Sequence, residues 1–215
     1  MSFLNKLWNG KSNNDRYYSF DELQENERVN IDFRITVKQT NSTWSIIAPH
    51  GGGIEPGTSE IAGAIARNDF SLYLFEGYKF FRNIDLHITS TNFNEPQLLH
   101  LLQTSNRTIA IHGLNGDENI AYIGGRDNEC IEVIIEQLSR DGFTALHSQP
   151  GFVEGISLEN ICNKNTAGRG VQIELTNGLR NLMFANLSRT GREFRTPTFD
   201  SFVSTIRNVI QQLSQ

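Results

Sequence analysis

The feature that most constrains this chain is a glycine-rich loop between a dense apolar run and a predicted helix. The loop Pro49–Gly57 reads PHGGGIEPG and follows the apolar residues Ile46–Ala48. In α/β proteins, ligands bind in the loops at the carboxyl ends of the strands. Three consecutive glycines let the backbone turn tightly and approach a ligand closely. Because histidine and glutamate are both zinc ligands, we expect His50 and Glu55 to hold a catalytic metal ion.

Strand patterns recur along the rest of the chain at short intervals. Alternating apolar and polar residues predict a strand with one solvated face over Ile31–Lys38. A denser apolar run predicts a central strand over Thr43–Ala48. Further strands are predicted at Ser71–Phe75, Asp85–Ser90, Thr108–Ile111, Ile120–Ile123, Thr144–His147 and Val171–Leu175.

Helix signals fall between these strands. Thr58 or Ser59 is a suitable cap for a helix through Ala66, and Asn94 is a suitable cap for a helix through Leu102. The alternation of strands and helices predicts an α/β fold in three layers, α/β/α, with a mixed, mostly parallel sheet and helices on both faces. We expect a single catalytic domain over residues 1–215, with residues 1–18 loosely ordered.

Composition and charge argue against several function classes. The formal net charge of -5 disfavours a broad surface for nucleic acid or anionic membranes. Cys130 and Cys162 lack C-x-x-C spacing, so we expect two unpaired buried thiols, with a single disulfide as the alternative. No apolar stretch has the length of a membrane span, and no secretory signal is visible. We therefore expect cytoplasmic synthesis, with any action outside the cell following lysis or another unsignalled release.

Two further side chains able to bind metal or transfer protons fall in or after predicted strands. His112 follows the strand Thr108–Ile111, and Glu174 lies within the strand Val171–Leu175. A buried ionised carboxylate is costly unless it meets a metal ion, an arginine or hydrogen bonds. Two histidines and one glutamate with an open fourth position form a catalytic zinc site, and a second glutamate then serves as general base and later as general acid.

Each of these features has an alternative interpretation. A histidine at a strand end is often a hydrogen-bonded structural residue. A glycine-rich loop before a helix can also bind phosphate. Neither the G-x-G-x-x-G nor the G-x-x-x-x-G-K-[ST] pattern is present, so nucleotide binding is only weakly supported.

Several segments taken together resemble a known family, the poly-γ-glutamate hydrolases of bacteriophages and Bacillus. These are zinc peptidases with a fold related to that of the zinc carboxypeptidases. The matching segments follow one another in the same order over about Phe20–Thr176, which is more specific than any single motif. They are Pro49–Glu55, Ser71–Gly77, Leu86–Thr91, Ile111–Gly113, Gly124–Gly125, Asn160–Asn163 and Gly168–Leu175.

The resemblance implies a reaction and assigns roles to four residues. His50, Glu55 and His112 match the family's zinc ligands, and Glu174 matches its catalytic glutamate. The implied reaction is hydrolysis of the γ-glutamyl amide bonds of poly-γ-glutamate, a capsule and biofilm polymer, by a metal-activated water with Glu174 as general base and acid. One position departs from the family pattern that the resemblance implies: Asn92 stands where a histidine is usual. A contact of this position with substrate or with a metal ligand would alter substrate preference or rate.

Poly-γ-glutamate carries a free carboxylate on every residue, so an acidic protein must bind it with concentrated cations. Arg126 follows two glycines and Arg169 lies between two, and a guanidinium suits bidentate carboxylate binding. Lys164 and His87 are further candidates for substrate contacts. The alternatives are solvated surface charges for the cations and a hydrogen-bonded core residue for His87.

Two other functions stay open from the sequence. The first is a zinc peptidase acting on short γ-glutamyl or peptidoglycan peptides. The second is a catalytically silent polymer binder that keeps the fold, and the intact set of His50, Glu55, His112 and Glu174 argues against it.

Overall fold

The computed structural model describes residues 15–149, 151 and 153–214. The strands in these residues are β1 (Phe33–Lys38), β2 (Trp44–Gly52), β3 (Ser71–Gly77), β4 (Arg107–Leu114), β5 (Ile120–Gly125), β6 (Thr144–His147) and β7 (Val171–Thr176). The α-helices are α1 (Phe20–Asn26), α2 (Thr58–Ala66), α3 (Pro96–Leu102), α4 (Asn128–Arg140), α5 (Asn177–Met183) and α6 (Pro197–Gln212). Short 3-10 helices form at Asn83–Leu86, Ile161–Asn163 and Gly191–Glu193.

The strands form one mixed sheet in the order β1-β3-β2-β4-β7-β5-β6. The central strands β3, β2, β4 and β7 are parallel to their neighbours in this group. The edge strand β1 is antiparallel to β3, and β5 is antiparallel to β7 while parallel to β6. The carboxyl ends of β2, β4 and β7 therefore meet at one edge of the sheet.

Helices cover both faces of the sheet, which confirms the predicted mixed, mostly parallel α/β architecture. On one face, α2, α4, α5 and α6 pack over a large apolar cluster that includes Ile46, Ile109 and Ile173. On the other face, α1 and α3 pack over a second cluster that includes Ile47 and Ala110. Alternate residues of each strand thus enter opposite clusters, as the two-residue repeat of a buried strand requires.

A β-bulge in β2 moves the side chains of its last residues to the opposite face of the sheet. Ala48 pairs with Leu74 of β3, but Gly51 pairs with Glu76, so β2 has one more residue than β3 between these pairs. Strict alternation puts His50 on the same face as Ala48. The extra residue shifts the alternation by one, so His50 lies on the opposite face, beside Phe93 and Ile88.

The predicted strand over Asp85–Ser90 is wrong. Asn83–Leu86 forms a 3-10 helix instead, and the residues that follow it pair with side chains rather than with a strand. The Thr89 N–H donates to Asp15, and the carbonyl of Ile88 accepts from His50. These contacts occupy backbone groups that a strand ladder needs, so the segment covers the end of the sheet rather than extending it.

Two predicted helix caps are also wrong. Gly57, with φ at 103°, takes the N-cap position of α2, because the hydroxyl groups of Thr58 and Ser59 bond to the glycine loop instead. Glu95 caps α3, and the Asn94 side chain accepts from the N–H of Phe20. In both cases another hydrogen bond uses the side chain that was predicted to cap the helix: a bond within the loop for Thr58 and Ser59, and a long-range bond for Asn94.

The two cysteines are free and buried, as predicted. None of the helices in the described part of the chain is both long and apolar enough to cross a membrane. The expectation of loose order over residues 1–18 falls largely on residues 1–14, which lie outside the described residues. From residue 15 onward the chain packs against the body, with Tyr17 buried.

Candidate active site

Two histidines and a glutamate converge at the carboxyl ends of β2 and β4. The Nδ1 atoms of His50 and His112 are 3.1 Å apart. The Nδ1 atom of His50 is 3.3 Å from Oε1 of Glu55, and that of His112 is 3.7 Å from Oε2 of the same residue. Both imidazoles are buried, and Glu55 is only slightly exposed.

Backbone contacts orient these side chains. The Nε2 atom of His50 lies 2.7 Å from the carbonyl oxygen of Ile88 and donates to it, so Nδ1 faces Glu55 and His112 with its lone pair. The N–H of Gly113 donates to Oε2 of Glu55 at 2.8 Å. The glycine loop brings Glu55 back over β2, where its N–H bonds to the carbonyl of His50. Ring and carboxylate orientation are therefore set by the fold around them.

The donor set fits a metal ion. Ligand atoms about 2.0–2.1 Å from a tetrahedral zinc ion lie about 3.3–3.4 Å apart, close to the distances between these three side chains. Burial lowers the pKa of His112 to about 3, so its imidazole is neutral. Its Nε2 atom is buried without a hydrogen-bond partner among the described residues. Two imidazoles and a carboxylate in close contact suit binding of a shared cation.

Glu55 is held ionised by its surroundings. Burial alone raises the pKa of this carboxyl, but His50, His112 and His87 together bring the pKa down to about 2. An ionised carboxylate is the form that binds a metal ion.

Glu174 lies beside the three side chains on β7. It pairs with His112 across the parallel strands β4 and β7, so the two side chains share a face. Burial, and then the charge of Glu55, raise the pKa of Glu174 well above its ordinary value. The Nε2 atom of Gln172 donates to Oε1 of Glu174 at 3.0 Å, and the Gln172 oxygen accepts from Asn160. A cation at the three ligand atoms would favour the ionised form of Glu174.

His87 lies against His50 and Glu55. It also pairs with Asp15, a contact that was not predicted from the sequence. Its ring stacks on that of His50 with centroids 4.1 Å apart, and its Nε2 atom is 3.9 Å from Oε1 of Glu55. Its Nδ1 atom donates to Asp15 at 2.6 Å. Burial opposes the charge on His87, but Asp15 and Glu55 outweigh burial and raise its pKa. Asp15 had no sequence signal, because its partner lies 72 residues away.

The other predicted substrate-binding cations lie farther off. Arg126 donates to the carbonyls of Gly168 and Ile156, and both Arg126 and Arg169 are exposed at the amino-terminal end of β7. That end begins at Val171, about 10 Å along the strand from Glu174.

The contacts of three more residues show where they lie relative to the site. Lys164 pairs with Glu159 rather than with the site. Asn92, at the position where a histidine is usual, donates its N–H to Thr89 in a turn before Phe93. Arg180, which was not predicted, also lies close to the site. It is 2% exposed, and burial lowers its pKa against the opposing charges of Glu55 and Glu174.

Comparisons with known proteins show which proteins this chain is similar to. The SPbeta prophage-derived protein YoqZ of Bacillus subtilis (strain 168) is 38% identical over 200 residues, covering 92% of this chain and 72% of its own. The structure of a bacteriophage poly-γ-glutamate hydrolase superposes with a TM-score of 0.90 at 29% identity, covering 93% of this chain and 98% of the other. YndL in a zinc-free apo form gives a TM-score of 0.89 at 34% identity, covering 94% and 100%.

A more distant structure shares the fold alone. The N-formylglutamate amidohydrolase of Ralstonia eutropha JMP134 superposes with a TM-score of 0.53 at 10% identity. The family model described as poly-gamma-glutamate hydrolase matches residues 17–205 of this chain. That match spans the glycine loop, the strands that carry His112 and Glu174, and most of α6. The chain therefore belongs to the poly-γ-glutamate hydrolase family.

Proposed function

We propose that this protein hydrolyses the γ-glutamyl amide bonds of poly-γ-glutamate at a single zinc ion held by His50, Glu55 and His112. The observation that carries the proposal is the convergence of these three ligands within 3.1–3.7 Å of one another, beside the buried Glu174, in a chain of this family. The zinc-free form of the relative YndL supports zinc as the metal.

Glu174 is the proposed general base and acid. When bound, zinc supplies Lewis-acid polarisation of the scissile carbonyl and lowers the pKa of water. Glu174 takes a proton from the attacking water and returns it to the leaving amine nitrogen, so the same carboxyl serves both halves of the reaction. The hydrogen bond from Gln172 holds one carboxyl oxygen in place, which keeps the group in a fixed orientation during the transfer.

Substrate carboxylates need cations near the bond that is cut, and His87 is the best placed of the four predicted contacts. Its hydrogen bond to Asp15 and its position next to Glu55 favour a charged donor at the mouth of the site. Arg126, Arg169 and Lys164 are proposed to contact only polymer units remote from the scissile bond, because they lie at the other end of β7 or in the loop before it. The prophage origin of one relative, YoqZ, supports release by lysis as the route to an extracellular polymer.

The test combines metal analysis with polymer digestion. Purified protein is assayed for zinc content and for cleavage of long poly-γ-glutamate as isolated, after treatment with a chelator, and after zinc is added back. We expect cleavage that is lost with the metal and restored with zinc. Full cleavage by metal-free protein would contradict the zinc proposal.

Product sizes decide between the candidate substrates. A ladder of intermediate oligomers supports internal cleavage of the polymer. Exclusive release of monomer, or cleavage of short γ-glutamyl peptides without cleavage of the polymer, would instead favour the peptidase alternative. Polymer binding without any cleavage would identify the protein as a silent binder.

A further inference from the structure

The buried Arg180 donates hydrogen bonds to three segments that lie far apart from one another in the sequence. Its Nε atom donates to the carbonyl of Leu175 at 3.0 Å, and Nη1 donates to that of Pro56 at 2.7 Å. Its Nη2 atom donates to the carbonyl of Leu114 at 3.1 Å and to Oδ1 of Asn177 at 2.7 Å. The guanidinium thus contacts the end of β7, the glycine loop and the end of β4 at once.

The three carbonyls belong to the segments that carry the proposed active-site residues. Leu175 directly follows Glu174, Pro56 directly follows Glu55, and Leu114 comes two residues after His112. A planar guanidinium offers its N–H groups in fixed directions, so one rigid group sets the distances among all three segments.

The packing leaves little room for the guanidinium to move. A Cβ atom added at Gly113 would lie 2.7 Å from Cζ of Arg180 and 2.9 Å from Cβ of Glu55. Gly113 thus allows both side chains to pack directly on β4, while its own N–H orients the Glu55 carboxylate. Arg180 and Glu55 are therefore both packed against the backbone of Gly113.

A buried charge without a direct carboxylate partner is an expensive way to stabilise a fold. Removing a guanidinium from water is unfavourable, and the four acceptors of Arg180 are uncharged oxygens. Apolar residues could fill the same space at lower cost. The gain from an arginine here is fixed geometry, together with a positive charge near Glu55 and Glu174.

We infer that Arg180 is a positioning residue: by bonding to the three segments that carry Glu55, His112 and Glu174, it holds Glu55 and His112 at metal-binding geometry with Glu174 beside them. This inference rests on the zinc centre of the proposed function. It concerns how tightly the site holds zinc, which can be measured without any substrate.

The experiment measures zinc affinity of the full chain by competition with a chromogenic chelator of known affinity. The variants are Arg180→Lys and Arg180→Gln. Lysine keeps the positive charge but lacks the planar set of guanidinium N–H donors, and glutamine lacks both. The matched control is Arg192→Lys. Arg192 is also buried, at 7% exposure, but it bonds to Glu60 and to the carbonyl of Leu187 rather than to the three segments.

We expect both Arg180 variants to bind zinc about 10–100-fold more weakly than the wild type, the range for loss of a residue that orients metal ligands. The Arg192→Lys control should keep the wild-type affinity. An Arg180→Lys variant with wild-type affinity would overturn the inference and leave the zinc centre standing. Equal weakening in the Arg192→Lys control would also overturn it, because the effect would then reflect general stability.

Asn177→Ala keeps the inference testable if the Arg180 variants do not fold. Asn177 is partly exposed and touches the guanidinium through one hydrogen bond, so its loss should loosen Arg180 and weaken zinc binding in the same direction by a smaller factor. Unchanged affinity in a folded Asn177→Ala protein would overturn the inference. A wild type that binds no zinc would overturn the metal centre itself, and the Arg180 assignment with it.

Discussion

His112 and Glu174 are directly paired residues of two adjacent parallel strands, with both side chains on the same face of the sheet. The spacing between neighbouring strands is about 4.8 Å, so a ligand and a proton-transfer group held in this way keep a constant separation. Because strands are stiffer than loops, this part of the site is set before any substrate binds.

Glu174→Gln should separate metal binding from catalysis. The amide keeps the shape of the side chain but cannot accept and return a proton, so we expect zinc content to be unchanged and kcat to fall by about 10²–10⁴-fold. Zinc analysis and steady-state cleavage of the polymer measure the two effects. Glu25→Gln, an exposed glutamate on α1, is the control and should behave as wild type. A fully active Glu174→Gln protein would show that another group transfers the proton.

His112→Ala should remove the metal. Without this imidazole only two ligands remain, and we expect the purified variant to lose zinc on dialysis and to lose cleavage with it. His100→Ala provides the comparison, because His100 is exposed on α3, away from the site. Zinc content equal to that of wild type in His112→Ala would show that the ligand set is different.

Tyr17 should make the free energy of unfolding depend on pH in the alkaline range. Burial, and then the adjacent Glu27, raise the pKa of Tyr17 to about 12, and its hydroxyl donates to Glu27 at 2.7 Å. A pKa raised in the folded state gives stability that is complete below the unfolded value of about 10 and is lost as pH rises through the folded value. We expect the free energy of unfolding to fall over this range.

The substitution Tyr17→Phe should cost about 1 kcal/mol at neutral pH, because it removes one hydrogen bond, and it should reduce the alkaline slope. Tyr18→Phe is the matched control, since Tyr18 is 71% exposed. Denaturant unfolding at pH 7 to 11 measures both effects. An identical slope for Tyr17→Phe and wild type would assign the alkaline loss to other groups.

Two glycines near α2 should respond to alanine in opposite ways. A Cβ atom at Gly51 would lie 2.0 Å from Oγ of Ser59 and 3.1 Å from the carbonyl of Phe75, so Gly51→Ala should destabilise the protein and displace the glycine loop. A Cβ atom at Gly63, within α2, would meet nothing within 4 Å. Gly63→Ala should therefore stabilise the helix by about 1 kcal/mol. Thermal unfolding compares them, and a stabilising Gly51→Ala would show that the loop is not tightly packed.

Local sequence predicted most of the sheet, because its central strands are buried on both faces and read as dense apolar runs. Strands β2, β3 and β7 form where they were predicted, at Thr43–Ala48, Ser71–Phe75 and Val171–Leu175, and each continues past the predicted carboxyl-terminal end. Asp85–Ser90 was predicted wrongly, because its backbone pairs with Asp15 and His50 rather than with a strand. A short alternating pattern cannot reveal such partners, which depend on residues far along the chain.

Most strands, the glycine loop and four residues that could bind a metal ion or transfer a proton were predictable from the sequence. These predictions depend on apolar periodicity and on residue chemistry, both of which are local. Which side chains contact one another was not predictable in this way. The bulge that turns His50 over, the contact of Asp15 with His87, and the contacts of Arg180 with three segments all depend on strand register and on close packing. Register and packing are properties of the assembled sheet, because they join residues between 5 and 124 positions apart in the chain.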